Sequence, residues 1–144
     1  MNTKRADGAV TLIIPSDLVE ARRIQGEIES RLKTTAFDPR ELFGIKLAIE
    51  EALVNAIKHG NRLDPDKNVK IAYEITDTRF QIQIADEGPG YNPDAVPDCQ
   101  AAENLTRPGG RGLYLIRYYM SEVVVHPPGN AVSMAKVHSN GKAK

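Results

Sequence analysis

Glu51, Asn55 and His59 recur at four-residue intervals within Glu50-Glu51-Ala52-Leu53-Val54-Asn55-Ala56-Ile57-Lys58-His59-Gly60. On a helix that spacing stacks a carboxylate, an amide and an imidazole on one face. The amide oxygen of Asn55 is a hard ligand suited to magnesium, which keeps several waters and adds phosphate oxygens. The carboxylate one turn earlier, Glu51, can take a proton from an attacking hydroxyl or water, a contribution of roughly 10²–10⁴-fold in rate. Taken alone, the two read more readily as solvent-facing polar residues of an amphipathic helix.

Two glycine-rich turns reverse that balance. Asp86-Glu87-Gly88-Pro89-Gly90 follows an apolar strand pattern. Gly88 and Gly90 permit tight backbone geometry and close ligand approach. Asp86 can accept a hydrogen bond from an exocyclic amine such as that of adenine. By itself the segment is also an ordinary strand-ending turn. Gly109-Gly110-Arg111-Gly112-Leu113 opens a helix. Such a start presents free N–H groups and a partial positive charge of roughly half a unit, which suits an anion such as triphosphate. A lid hinge is compatible with the same residues. Gly110, Gly112 and Leu113 therefore join the candidate nucleotide-binding set. Arg107 and Arg111 flank the loop, and phosphate contact, partner contact and simple solvation all stay open for them. Together the three segments make a site for a magnesium nucleotide.

These segments need elements to hold them. Residues 10–14 alternate as a short strand that Pro15 ends, and Ser16 can cap the helix that follows. Leu18, Ala21, Ile24, Ile28 and Leu32 then recur at helical spacing. That amphipathic helix has an outer face open to solvent, to a homodimer or to a partner. Asp38-Pro39-Arg40-Glu41 sets out an N-cap, a first-turn proline and a capping-box glutamate for a second helix. Its apolar stripe is Leu42, Ile45, Ile49, Ala52 and Ala56, and Gly60 is a natural stop. Residues 69–75 and 79–85 alternate as a hairpin about Thr76-Asp77-Thr78. A long irregular stretch rich in Pro, Asn and Asp follows, a lid over about 91–110. Residues 113–120 read as a third helix. Residues 123–126 and 131–137 read as a closing hairpin around Pro127-Pro128-Gly129-Asn130, and 139–144 as a polar tail. The order predicts an α+β two-layer sandwich, with helices on one face of a mixed, mostly antiparallel sheet.

The 144 residues read as a single domain with its core over about 10–138. The formal net charge of zero argues against a sequence-independent nucleic-acid binder, which needs a basic surplus. No apolar run approaches a membrane span, and residues 1–8 hold no signal-peptide core. A lone cysteine, Cys99, reads as an incidental thiol and fits a cytoplasmic location.

The combination of a helix, a strand-turn and a loop-helix, with a long loop between the last two, resembles the histidine-kinase-like (Bergerat) ATP-binding fold. Type II topoisomerases, the ninety-kilodalton heat-shock chaperone, sensor histidine kinases and mismatch-repair ATPases share that fold. The resemblance runs from about Leu12 to Val137. Within it, the chain is most similar to the small bacterial anti-sigma-factor serine/threonine kinases. Their Glu-x-x-x-Asn-Ala-x-x-His-Gly helix is matched by Glu51, Asn55, Ala56, His59 and Gly60. The resemblance implies ATP and Mg²⁺ as cofactors, Glu51 as general base and Asn55 as magnesium ligand. It implies Asp86 at adenine, Gly88 and Gly90 shaping the pocket, and Gly110 and Gly112 wrapping the phosphates. His59 would support the phosphate end or the lid, or simply cap the helix. The implied partners are an anti-sigma-factor antagonist that accepts phosphate and a sigma factor. Many relatives carry Gly-Thr in the closing hairpin. Here Gly129-Asn130-Ala131 stands there, so the threonine's support of the adenine pocket is absent or comes from Ser133.

Two other functions compete with a partner-switching kinase. The catalytic half of a histidine kinase is disfavoured by Glu51, because sensor kinases tend to carry Asn there and histidine needs no general base. It is disfavoured too by the lack of an upstream helical hairpin bearing a phosphorylatable histidine. A nucleotide-tuned binding module without phosphotransfer is left open by Gly129-Asn130-Ala131, while Glu51 argues against it.

Overall fold

The computed structural model describes residues 3–4, 9–89, 110–127 and 129–139. Two strands, β1 (Thr3–Lys4) and β2 (Ala9–Pro15), precede helices α1 (Leu18–Leu32) and α2 (Pro39–Val54). A π-helical segment, Asn55–Gly60, continues α2. Strands β3 (Asn68–Ile75) and β4 (Arg79–Ala85), helix α3 (Gly110–Tyr119), and strands β5 (Glu122–His126) and β6 (Ala131–Val137) follow. The lid expected over about 91–110 lies outside the described residues except for Gly110, which begins α3; Gly90, Arg107, Cys99 and the tail beyond Ser139 lie outside them too.

The helix starts are set by side-chain caps. Asp17, not Ser16, caps α1: its carboxylate accepts from the Val19 N–H at 2.8 Å. Ser16 is instead buried, and its hydroxyl donates to the Lys67 carbonyl at 2.7 Å. The capping box of α2 forms as expected. The Glu41 N–H donates to Asp38 at 2.8 Å and the Asp38 N–H donates to Glu41 at 3.0 Å, with Pro39 in the first turn.

The sheet runs β1-β2-β3-β4-β6-β5, and all five pairings are antiparallel. The mostly antiparallel sheet expected from sequence is thus wholly so among the described strands. The closing hairpin docks by its second strand, β6, against β4, so no parallel pair arises. The two-residue β1 extends the sheet in a way no sequence pattern announced. One row of apolar partners crosses the inner face: Leu12, Ile71, Ile84, Val132 and Val125. Ile24 and Ile28 of α1 and Ile45, Ile49 and Leu53 of α2 bury themselves against that face, where Phe80 and Ile82 also lie. Each such side chain is worth about 1.5–3 kcal/mol on burial. Gly44 lets α3 approach α2, since a Cβ there would stand 2.7 Å from a ring carbon of Tyr119.

The far end of α2 is tied to the end of the sheet. The buried Glu41 carboxylate also accepts from the Ser139 N–H at 2.9 Å and meets the His138 ring at 2.6 Å. Burial pushes this carboxyl up, but the Asp38 and Ser139 N–H groups and His138 outweigh it and hold it below the ordinary glutamate value. A carboxyl lowered by folding stabilises in full above its unfolded value near pH 4.3, and that stability is lost as pH falls through the lower folded value. Glu41→Ala, which leaves several buried donors unpaired, is therefore expected to cost about 2 kcal/mol or more. Urea unfolding at pH 7 measures this, and the difference from wild type should shrink in acid.

Candidate functional site

The last turn of the second helix is not α-helical. From Asn55 to Gly60 the chain runs in π register, and the Asn61 N–H closes it by donating to the Ala56 carbonyl at 2.8 Å. Such segments widen one turn by a residue and recur at functional sites. Gly60 ends the segment without a left-handed cap. The left-handed turn falls on Arg62 and Leu63, with φ of 55° and 58°. Non-glycine residues there cost roughly 1–2 kcal/mol each, so tertiary contacts must hold the turn. The Leu63 N–H donates to the Ile57 carbonyl at 2.8 Å.

The contact that shapes the site is Gly60 against Asp86. A Cβ on Gly60 would collide with the Asp86 carboxylate, and a Cβ on Gly88 would collide with the Gly60 carbonyl oxygen. Both glycines are therefore required for close approach, not for conformation. The Gly88 N–H donates to Asp86 Oδ1 at 2.7 Å and fixes the carboxylate. The other carboxylate oxygen has no hydrogen-bond partner among the described residues, and no unpartnered side-chain oxygen there is sealed from solvent. Burial pushes the Asp86 carboxyl up, with the Gly88 N–H and nearby Lys67 opposing.

Gly60 and Asp86 line a cleft of about 220 Å³ between the π segment, α3 and the turns after β4 and β5. Ala52, Ala56, Ile84, Ile116 and Val132 make an apolar floor, while Asn55, His59, Asp86 and Asn130 supply polar groups. Leu113 lines it from α3. Glu51 stands one turn before Asn55, half-exposed and outside the cleft lining. Gly88 is buried and outside the lining. The glycine-rich segment differs from expectation, because α3 begins at Gly110. Gly110, Arg111 and Gly112 thus form its first turn, where backbone N–H groups lack helical partners. A larger hollow of about 390 Å³ lies on the opposite, open face of the sheet. Four of its charged and amide side chains pair with one another, Arg79 with Glu122 and Gln81 with Glu74, and it holds none of the motif residues.

In the closing hairpin it is Asn130, not Ser133, that contacts the Asp86 turn. The Asn130 carbonyl accepts from the Asp86 N–H at 2.8 Å, and its side-chain amide reaches the Gly88 carbonyl at 3.4 Å. Gly129 takes φ 107°, which a side chain would resist. Ser133 does not serve the pocket. It pairs with Gln83 and Val124 on the open face, and its hydroxyl bonds the His126 ring at 2.8 Å. Asn61 was missed altogether by sequence reasoning. It is 1% exposed, its amide donates to Ser16 Oγ and to the Asn68 carbonyl, each at 2.9 Å, and its oxygen accepts from the Glu87 N–H at 2.7 Å. An asparagine after His-Gly looks like a turn residue, and nothing local marks it as buried.

An apolar floor with an accessible carboxylate oxygen fits a flat base bearing an exocyclic N–H. Among the described residues no three His, Cys, Asp or Glu cluster as a metal cage. Asn55 is one of the polar residues lining the cleft, and an amide oxygen is of the ligand type that magnesium accepts alongside water and phosphate.

A profile of the Histidine kinase-like ATPase domain matches residues 14–136. The chain is 32% identical over 111 residues to "Serine-protein kinase RsbW" of Staphylococcus epidermidis, covering 67% of this chain and 70% of that protein. It is 32% identical over 137 residues to "Anti-sigma F factor" of Geobacillus kaustophilus, covering 84% and 90%. Among solved structures, the RsbU and RsbW domains of a Mycobacterium tuberculosis protein superpose with TM-score 0.60 at 17% identity. That match covers 90% of this chain and 31% of the longer one, and it supports the fold alone. With the cleft, its glycines and the match over 14–136 together, the chain belongs to the Histidine kinase-like ATPase domain family.

Proposed function

We propose that this chain is an ATP-dependent serine/threonine protein kinase and anti-sigma factor. It would phosphorylate a small anti-sigma-factor antagonist and bind a sigma factor in a partner-switching circuit in the cytoplasm. The observation that carries the kinase reading is Glu51, a carboxylate one helical turn before Asn55 at the cleft. Relatives named as a serine-protein kinase and an anti-sigma factor support it. No helix among the described residues is long and apolar enough to cross a membrane.

Mg·ATP, when bound, supplies the γ-phosphoryl group and the neutralisation of its charge. Asp86 accepts from the exocyclic amine of the base, and the apolar floor takes the base's face. The N–H groups of the first turn of α3 would take the phosphates. Asn55 would offer its amide oxygen to the metal. Glu51 takes the proton from the acceptor hydroxyl as that oxygen bonds to phosphorus and the bond to the leaving diphosphate breaks. Phosphorylation adds nearly two negative charges to the antagonist, enough to change its fit to this surface.

Glu51→Gln is expected to bind ATP within about twofold of wild type yet lose roughly 10²–10⁴-fold in transfer. The assay is acid-stable label from γ-labelled ATP on a small protein of the source cell. A fully active Glu51→Gln protein would remove the base from the mechanism. Gly60→Ala drives a methyl group into Asp86 and should weaken ATP binding by about tenfold or more, read by calorimetry. Because burial raises Asp86, ATP affinity should start to fall at a pH above the ordinary aspartate range, as the carboxylate gains its proton.

A further inference from the structure

We propose that Asn61 is a positioning residue that sets base selectivity, by holding the Asp86-Glu87-Gly88 turn to the end of the π segment. The inference rests on the nucleotide reading of the cleft and deepens it. Asn61 is buried, and its side-chain amide joins three separate pieces of chain. Its Nδ2 donates to Ser16 Oγ beyond β2 and to the Asn68 carbonyl at the start of β3. Its Oδ1 accepts from the Glu87 N–H.

The polarity of these bonds admits one orientation. Ser16 commits its hydroxyl hydrogen to the Lys67 carbonyl, so it meets Asn61 as an acceptor. A flipped amide would set oxygen against the Asn68 carbonyl and NH₂ against the Glu87 N–H. The backbone of Asn61 is engaged too. Its N–H closes the π turn on Ala56, and its carbonyl accepts from the Asp64 N–H at 3.0 Å. One residue thus fixes both walls of the Gly60–Asp86 contact: Gly60 is its neighbour in sequence, and Glu87 follows Asp86.

Asp86 itself is oriented by Gly88 and by Asn130, both within or against the same turn. Without the Asn61 amide, the Glu87 N–H loses its buried acceptor and the turn loses its link to the helix. The Asp86 carboxylate would then keep its charge but lose its aim. That predicts a loss of discrimination between bases, beyond any loss of stability.

The test compares ATP with inosine triphosphate, whose base carries a carbonyl where adenine carries its amine. Dissociation constants for both, with Mg²⁺, are measured by calorimetry on the full chain for wild type, Asp86→Ala and Asn61→Ala. Asn61→Leu is close in size and removes the acceptor for the Glu87 N–H, and it serves if the alanine protein does not fold. Circular dichroism establishes folding. The ratio of the two constants is insensitive to a merely structural defect, because the same folded fraction binds both nucleotides. Wild type should prefer ATP, and Asp86→Ala should abolish the preference. The Asn61 variants should lower it by about tenfold or more. A preference that depends on Asp86 and survives in the Asn61 variants overturns this inference and leaves the nucleotide reading standing. A wild type that binds both equally overturns this inference alone, and one that binds neither overturns the nucleotide reading with it.

Discussion

The site depends on a close approach between the end of the second helix and the turn after β4. Asp86 can stand beside Gly60 only because residue 60 has no side chain, and Gly88 can approach the Gly60 carbonyl only because residue 88 has none. Neither glycine needs an unusual φ. They are places where two backbones and a carboxylate share a space that one methyl group would fill. A carboxylate held there is partly desolvated and aimed at the cleft, which makes it a selective acceptor.

That approach is sustained from two directions. The β4–β6 pairing carries Asn130 to Asp86, so the sheet register decides what supports the turn. Asn61 fastens the other side, linking the π segment to β3 and to Glu87. The left-handed turn at Arg62 and Leu63 is the conformational cost of ending a helix in π register. The buried bonds of Asn61 offset it. At the opposite end of α2, Glu41 performs a similar joining task for His138 and Ser139. The long helix is therefore pinned at both ends, and Glu51 and Asn55 sit on a rigid element rather than a loop.

Much of this was legible in the residue order. Asp38-Pro39-Arg40-Glu41 announces the helix start because capping chemistry is local. The strand pair of β3 and β4 follows from alternation because one face is buried. What was not legible depends on contacts distant in sequence. The π register requires a partner for the Asn61 N–H one residue further back in the chain than an α-helix would give, and periodicity does not see it. Ser16 and Asp17 are both good caps, and the choice fell to Asp17 because Ser16 is drawn inward to Asn61 and Lys67. Ser133 failed as the pocket's support because it lies one residue out of phase with Val132, which faces the cleft. Residues 131–137 mix small and apolar types too evenly for alternation to reveal that phase.

The proposed place of the nucleotide is between the π segment, the Asp86 turn and α3. Amide chemical shifts of isotope-labelled protein, recorded as Mg·ATP is added, locate it. The largest shifts should fall on Gly60, Asn61, Asp86, Gly88 and Leu113. Shifts confined to Thr11, Ala72, Gln83 and Val124, on the open face of the sheet, would contradict it.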